Sequence, residues 1–220
     1  MEKRAPLAAL LLACLLTAGP ALSQQVGSVP LNDLLEVTFL GRDVVALDGN
    51  GGQVTVRLNL SETVLWSGSR GIVGVVLTDE RMLAVATGSA VWQEERYLRN
   101  EVRPLNALLG DRVALITTPR RVLGFSGTTR SVVEYRLTPR QVVRSVHVGE
   151  NVGVVVTDRN ALGLSPQTGG FSETKLQLRE RLESVDTRST LATVRTNRRL
   201  LVFRAPSGTW SERRRELNEG

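Results

Sequence analysis

The stretch Thr78-Asp79-Glu80-Arg81-Met82-Leu83-Ala84-Val85 returns as Thr118-Pro119-Arg120-Arg121-Val122-Leu123-Gly124-Phe125, then as Thr157-Asp158-Arg159-Asn160-Ala161-Leu162-Gly163-Leu164, and again as Thr196-Asn197-Arg198-Arg199-Leu200-Leu201-Val202-Phe203. The steps are 40, 39 and 39 residues. A weaker copy, Leu40-Gly41-Arg42-Asp43-Val44-Val45-Ala46-Leu47, lies 38 residues earlier with Leu in place of Thr. The register extends past the motif. Fourteen residues after each anchor stands Val54, Trp92, Val132, Phe171 or Trp210, and sixteen after stands Val56, Glu94, Glu134, Glu173 or Glu212. Eighteen after, Arg96, Arg136, Lys175 and Arg214 are basic. A fixed period of this kind marks a repeat architecture.

Within each unit the local pattern is that of strands. Val75 to Leu77, Val113 to Thr117, Val152 to Val156 and Leu191 to Val194 are short β-branched or apolar runs, each followed by a polar turn and a second apolar run, which predicts a hairpin. Connections rich in Gly, Ser, Thr and Pro (Thr87-Gly88-Ser89, Ser126 to Thr129, Pro166 to Gly170, Pro206-Ser207-Gly208) lead to a third strand carrying the Trp/Phe position. A fourth strand fits Thr63 to Trp66, Arg103 to Leu109, Val142 to Val148 and Leu182 to Asp186. Glu212 to Asn218 is the one stretch that suits a helix.

Four short strands recurring at about 40 residues form the pattern of a propeller blade. The chain after residue 23 resembles the five-bladed β-propellers, with units at about 24–60, 61–99, 100–138, 139–178 and 179–220 of a single all-β domain. The likeness is architectural, since the Gly-His and Trp-Asp signatures of WD40 blades are absent. A solenoid of stacked strands is the structural alternative. Gln24 to Leu31 is a candidate for the innermost strand of the first blade. Trp92, Phe171 and Trp210 are expected to pack between blades, because aromatic rings bury large areas. Glu and Arg/Lys two apart on the third strand share a face and are expected to form exposed charge ladders.

The N-terminus reads as an address. Lys3 and Arg4 precede the apolar run Leu7 to Leu16, and Ala21-Leu22-Ser23 supplies small residues for cleavage after Ser23, predicting a signal peptide over 1–23 and an exported, periplasmic or secreted, mature chain. A lipoprotein anchored through Cys14 is the alternative. Loss of Glu2, Lys3 and Arg4 lowers the net charge from +6 to +5 and loss of Cys14 removes the sole thiol. The apolar run is shorter than the roughly 20 residues that span a bilayer.

Catalytic chemistry finds little support. His147 is the sole imidazole, no acidic cluster has metal-ligand spacing, and no cofactor is implied. A triad of His147 with a Ser and Asp186 has no supporting pattern. The arginines are spread over all units and aromatics are few, which disfavours nucleic acid.

The turns are the candidate binding residues. In propellers the loops joining the second and third strands share a face with the blade connections. If this chain is similar, Arg81, Arg99, Arg120, Arg121, Arg140, Arg159, Arg198 and Arg199, with Arg179, form a broken ring of guanidinium groups able to grip carboxylate or phosphate. Glu62, Asp79, Glu80, Glu101, Asp158 and Glu180 fall in the same loops and are expected to blunt the field. The expectation is a non-enzymatic module for protein–protein binding or assembly. The alternatives are a lectin-like binder of acidic glycans and, less favoured, a glycoside-acting enzyme.

Overall fold

The structure, a computed structural model, describes residues 34–98, 101 and 106–214. These residues form five antiparallel sheets in chain order. The first holds β1 (Leu35–Leu40), β2 (Asp43–Asp48) and β3 (Gln53–Arg57); the second β4 (Val64–Arg70), β5 (Val73–Thr78), β6 (Arg81–Ala86) and β7 (Gln93–Arg96). The third holds β8 (Asn106–Leu109), β9 (Val113–Thr117), β10 (Arg121–Ser126) and β11 (Ser131–Arg136). The fourth holds β12 (Val143–Val148), β13 (Gly153–Thr157), β14 (Asn160–Ser165) and β15 (Gly170–Lys175), and the fifth β16 (Leu182–Thr187), β17 (Leu191–Thr196), β18 (Arg199–Arg204) and β19 (Thr209–Arg214). This is the propeller repeat expected from the 39-residue period. The signal segment, Cys14 and the candidate strand Gln24 to Leu31 lie outside the described residues.

Each sheet packs on the next through a hydrophobic layer. Val44, Ala46, Val76, Leu83, Val85 and Trp92 fill the space between the first and second sheets, and Val75, Met82, Ala84, Leu123 and Phe125 the space between the second and third. Leu115, Val122, Leu162 and Leu164 join the third to the fourth, with Phe171 packed against them. Val154, Val156, Val194, Leu201, Phe203 and the adjoining Trp210 join the fourth to the fifth. The recurring aromatics therefore sit between sheets, and equivalent indole bonds fix two of them: Trp92 Nε1 to Val54 O at 3.1 Å and Trp210 Nε1 to Ser172 O at 3.0 Å. Close approach demands small residues. A Cβ on Gly163 would stand 2.5 Å from the Phe203 ring, and one on Gly149 would stand 2.3 Å from the Arg188 carbonyl.

Two sequence expectations shift. Phe125, Leu164 and Phe203 pair with Val132, Phe171 and Trp210, but in the first sheet Leu47 pairs with Gln53. The Asp48–Gly52 turn is one residue tighter than its equivalents, helped by Gly51 at φ 90°, so Gln53 and Thr55 hold the positions assigned to Val54 and Val56. Residues 212 to 214 are strand, not helix, because β19 completes the pairing with β18.

The middle strands β5, β6, β9, β10 and β13 are buried on both faces. In the fifth sheet β17 and β18 alternate between buried and accessible residues. Among the described residues, no hydrophobic cluster joins the fifth sheet to the first.

Candidate functional site: the turn and connection face

The anchor threonine is the first layer of this face. Thr78 Oγ1 accepts hydrogen bonds from the backbone N–H groups of Glu80 (3.2 Å) and Arg81 (2.9 Å), and Thr118, Thr157 and Thr196 repeat the arrangement. A hydroxyl used in this way fixes a tight turn locally. Its own proton points to the carboxylate that ends the preceding connection: Thr78 to Glu62 at 2.8 Å, Thr118 to Glu101, and Thr196 to Glu180 at 2.7 Å.

The same carboxylates bind the arginine three residues past the anchor. Arg81 Nε lies 2.8 Å from Glu62 and its outer nitrogens reach Glu94 and the Arg57 carbonyl. Arg121 engages Glu101, Glu95 and Glu134, and its Nη2 reaches the Arg96 carbonyl. Arg199 engages Glu180, Glu212 and the Lys175 carbonyl. All three guanidinium groups are buried, as are the carboxylates of Glu62, Glu101 and Glu180. Burial alone pushes these carboxyls up, but hydrogen bonds from arginine, threonine and backbone N–H outweigh it and hold all three below the ordinary value of 4.5. Arg81 and Arg121 are shifted upward in return.

In the fourth sheet the buried pair is neutral, while Glu173, at the place of Glu94, Glu134 and Glu212, stays exposed. Gln141 stands where the others have Glu, accepts from the Thr138 N–H at 3.0 Å and donates to Thr157 Oγ1 at 3.0 Å. Asn160 replaces Arg and donates to the Tyr135 hydroxyl at 2.8 Å. Both members of the ion pair change together, so no buried charge is left alone.

These contacts correct the expected binding ring. Arg81, Arg121 and Arg199 are internal ties with their donors engaged, and Glu62, Glu101 and Glu180 are their partners rather than exposed acids blunting a field. Glu94 and Glu212 likewise serve the buried arginines, and among the described residues only Glu134–Arg136 of the expected charge ladders, at 2.9 Å, forms an ion pair. Arg99 lies outside the described residues. Arg120, Arg140, Arg159 and Arg198 are exposed, with Arg179 beside them. Sequence reading missed the Glu–Arg tie, although the paired change to Gln141 and Asn160 was a signal for it.

The exposed arginines are held in place by their surroundings. Asp79, Asp158 and Asn197 accept from the N–H groups of Thr63, Val142 and Arg181 at 2.8–2.9 Å, latching each turn to its connection. Arg159 reaches Thr138 at 3.2 Å and Arg198 reaches Gln177 at 3.4 Å, the same contact one sheet apart. Arg140 and Arg179 occupy left-handed backbone at φ 68° and 63°. Arg120, Arg136 and Arg140 border a cleft of about 460 Å³, floored by Leu98, Leu137 and Pro139. A second cleft of about 430 Å³ lies by Arg144, Asp158 and Arg181.

Among the described residues no group of three or more His, Cys, Asp or Glu side chains converges as a metal site. His147 lies opposite Val154, on the side of the fourth sheet facing the fifth. Asp186 lies opposite Thr193, on the far side of the fifth sheet. The two do not share a face.

No family model matches this chain, and no curated protein matches it. Solved structures do. Human WBSCR16 aligns at 14% identity and a TM-score of 0.40 over 73% of this chain and 56% of its own. Yeast RCC1 (Prp20), in a structure with Kap60, aligns at 9% identity and 0.37 over 77% and 55%. The β-propeller domain of Myceliophteria thermophila Cps50 (Swd1) aligns at 12% and 0.34 over 84% and 70%. The chain thus spans little more than half the length of the first two. These distant likenesses are to architecture alone.

Proposed function

We propose that this protein is an exported binding module that grips an acidic protein partner through the exposed arginines Arg120, Arg140, Arg159, Arg179 and Arg198, without a catalytic step. One observation carries the reading. Arg140 and Arg179 take a left-handed backbone conformation that disfavours a side chain by about 1–2 kcal/mol, where Gly or Asn would serve the fold better. Strain kept at an exposed cationic position points to a role outside the fold. The buried acids Glu101 and Glu180 support it, because they are paired internally with Arg121 and Arg199. What remains outward on the third to fifth sheets is an arc of guanidinium groups suited to bidentate carboxylate.

The test is crosslinking in the native envelope or secreted fraction, then binding of the recovered partner by the Arg140→Asn/Arg179→Asn variant. The expected result is unchanged or slightly raised thermal stability with weakened, salt-sensitive binding. Unchanged affinity would refute the proposal. The acidic-glycan reading is favoured by one feature, the equivalent placement of Arg159 and Arg198 on successive sheets, which offers repeated weak sites and avidity. Competition by a polyanionic glycan separates the two readings.

A further inference from the structure

The fifth sheet is built differently from the sheets that have a successor. Gly149, Gly163 and Ser165 of the fourth sheet meet the fifth closely, Ser165 Oγ donating to the Ala205 carbonyl and the Asn151 N–H to Ser189 O at 2.8 Å. The third sheet treats the fourth alike, through Gly110, Gly124, Ser126 and the Arg112 N–H. At the equivalent positions the fifth sheet carries Arg188, Val202 and Arg204, with Thr193 and Arg195 where the fourth has Val154 and Val156. Val202 there fills the space that Gly163 leaves for the Phe203 ring one sheet earlier.

The face is nevertheless not a plain polar cap. Leu191 is 39% exposed, and the half-exposed Leu200 and Val202 lie beside it, with Arg195, Arg204 and Arg213 around them and Asp186 as the acid on that side. The first sheet presents the counterpart. Its side away from the second sheet exposes Leu47 beside the buried Val45, flanked by Glu36 and Asp43, with Arg57 3.7 Å from Asp43. Leu47 occupies the place of Phe125 and Phe203, so the larger Val202 would meet a smaller side chain. Charge and volume are complementary, basic and filled on one end, acidic and reduced on the other.

We propose that the outer face of the fifth sheet binds the outer face of the first sheet in a second copy of this chain, giving head-to-tail association. This does not rest on the arginine arc, which lies on the turn face rather than the end faces. A heterologous contact of this kind propagates rather than closing as a two-fold dimer. The purified full chain is therefore expected to show mass rising with concentration through successive multiples of the monomer in sedimentation velocity, and falling back as salt is raised.

The decisive experiment uses two charge-reversed variants, Arg195→Glu/Arg204→Glu and Glu36→Arg/Asp43→Arg, each checked for native circular dichroism. Each alone is expected to lose the larger species, and an equimolar mixture to regain the concentration-dependent series with the two variants alternating, because the reversed fifth face of one fits the reversed first face of the other and their two unreversed faces still fit. A strictly monomeric parent chain up to about 0.1 mM, where even weak specific contacts populate complexes, would overturn the proposal. So would association that survives both reversals or stops at a symmetric dimer. Should a variant misfold, Leu47→Lys replaces it, with loss of association again expected.

Discussion

At the scale of the residue, Arg199 shows how a buried charge is made tolerable. Its guanidinium is met by two carboxylates and a backbone carbonyl. Removing one partner from such a pair typically destabilises by about 3–5 kcal/mol, whereas replacing the set by matched neutral groups can be close to neutral. The fourth sheet already contains that neutral solution in Gln141 and Asn160. Arg199→Asn alone is therefore expected to lower stability by about 3 kcal/mol or more, and Glu180→Gln added to it to recover at least half, read by urea denaturation. No recovery would mean the two side chains act independently. The carboxyls of Glu62, Glu101 and Glu180 are lowered in the fold, so the stability they contribute is present above 4.5 and disappears as pH falls through their folded values. Thermal melts are expected to be flat near neutrality and to drop below that point, with a shallower drop in the Glu180→Gln/Arg199→Asn protein. An acid-insensitive melting temperature would contradict this account.

At the scale of the element, strand positions were readable because a half-buried strand, a polar turn and a β-branched run leave their marks within a few residues. Val113 to Thr117 matches β9 to the residue, and β12 and β16 fall on their runs to within one residue, whereas β4 runs four residues past Trp66 to Arg70. The ion-pair ties were not readable in the same way. Glu180 and Arg199 are 19 residues apart, and a polar residue in a turn looks alike in sequence whether it faces water or a buried partner. The register slip in the first sheet escaped for a related reason, since one residue lost from a turn leaves both flanking strands intact. Packing between elements is the sharper constraint. Gly163→Ala is expected to force Phe203 aside, because a Cβ there meets three ring carbons at 2.5–2.6 Å, and overpacking of this sort lowers stability by about 1–3 kcal/mol. The matching change Val202→Ala, on the face with no successor, is expected to have a much smaller effect. Equal losses would show that the two faces are packed alike.

At the scale of the whole molecule, the sheets behave as a linear series in which each contacts its neighbours. The period announced that organisation, but not how the far side of the fifth sheet differs from the others, because that depends on which side of each strand meets the next sheet. Once the faces are assigned, Arg195, Val202 and Arg204 are seen to make the far side of the fifth sheet unlike that of the third and fourth, and stability in such a series is close to a sum of unit and interface contributions. The main-chain bonds along one rim run in one sense, from Ile72 to Asp111, Arg112 to Glu150 and Asn151 to Ser189, so the two ends of the array are chemically distinct.

That distinction makes the last sheet a guardian of solubility. A protease cutting in the exposed connection at Leu178 would strip away β16 to β19 and uncover the apolar patch of Val152, Val154, Val156 and Ala161. The shortened product is expected to precipitate while the intact chain stays in solution, as a spin assay after limited digestion will show. Damage to the final blade would thus be felt less as a missing piece than as a newly sticky remainder.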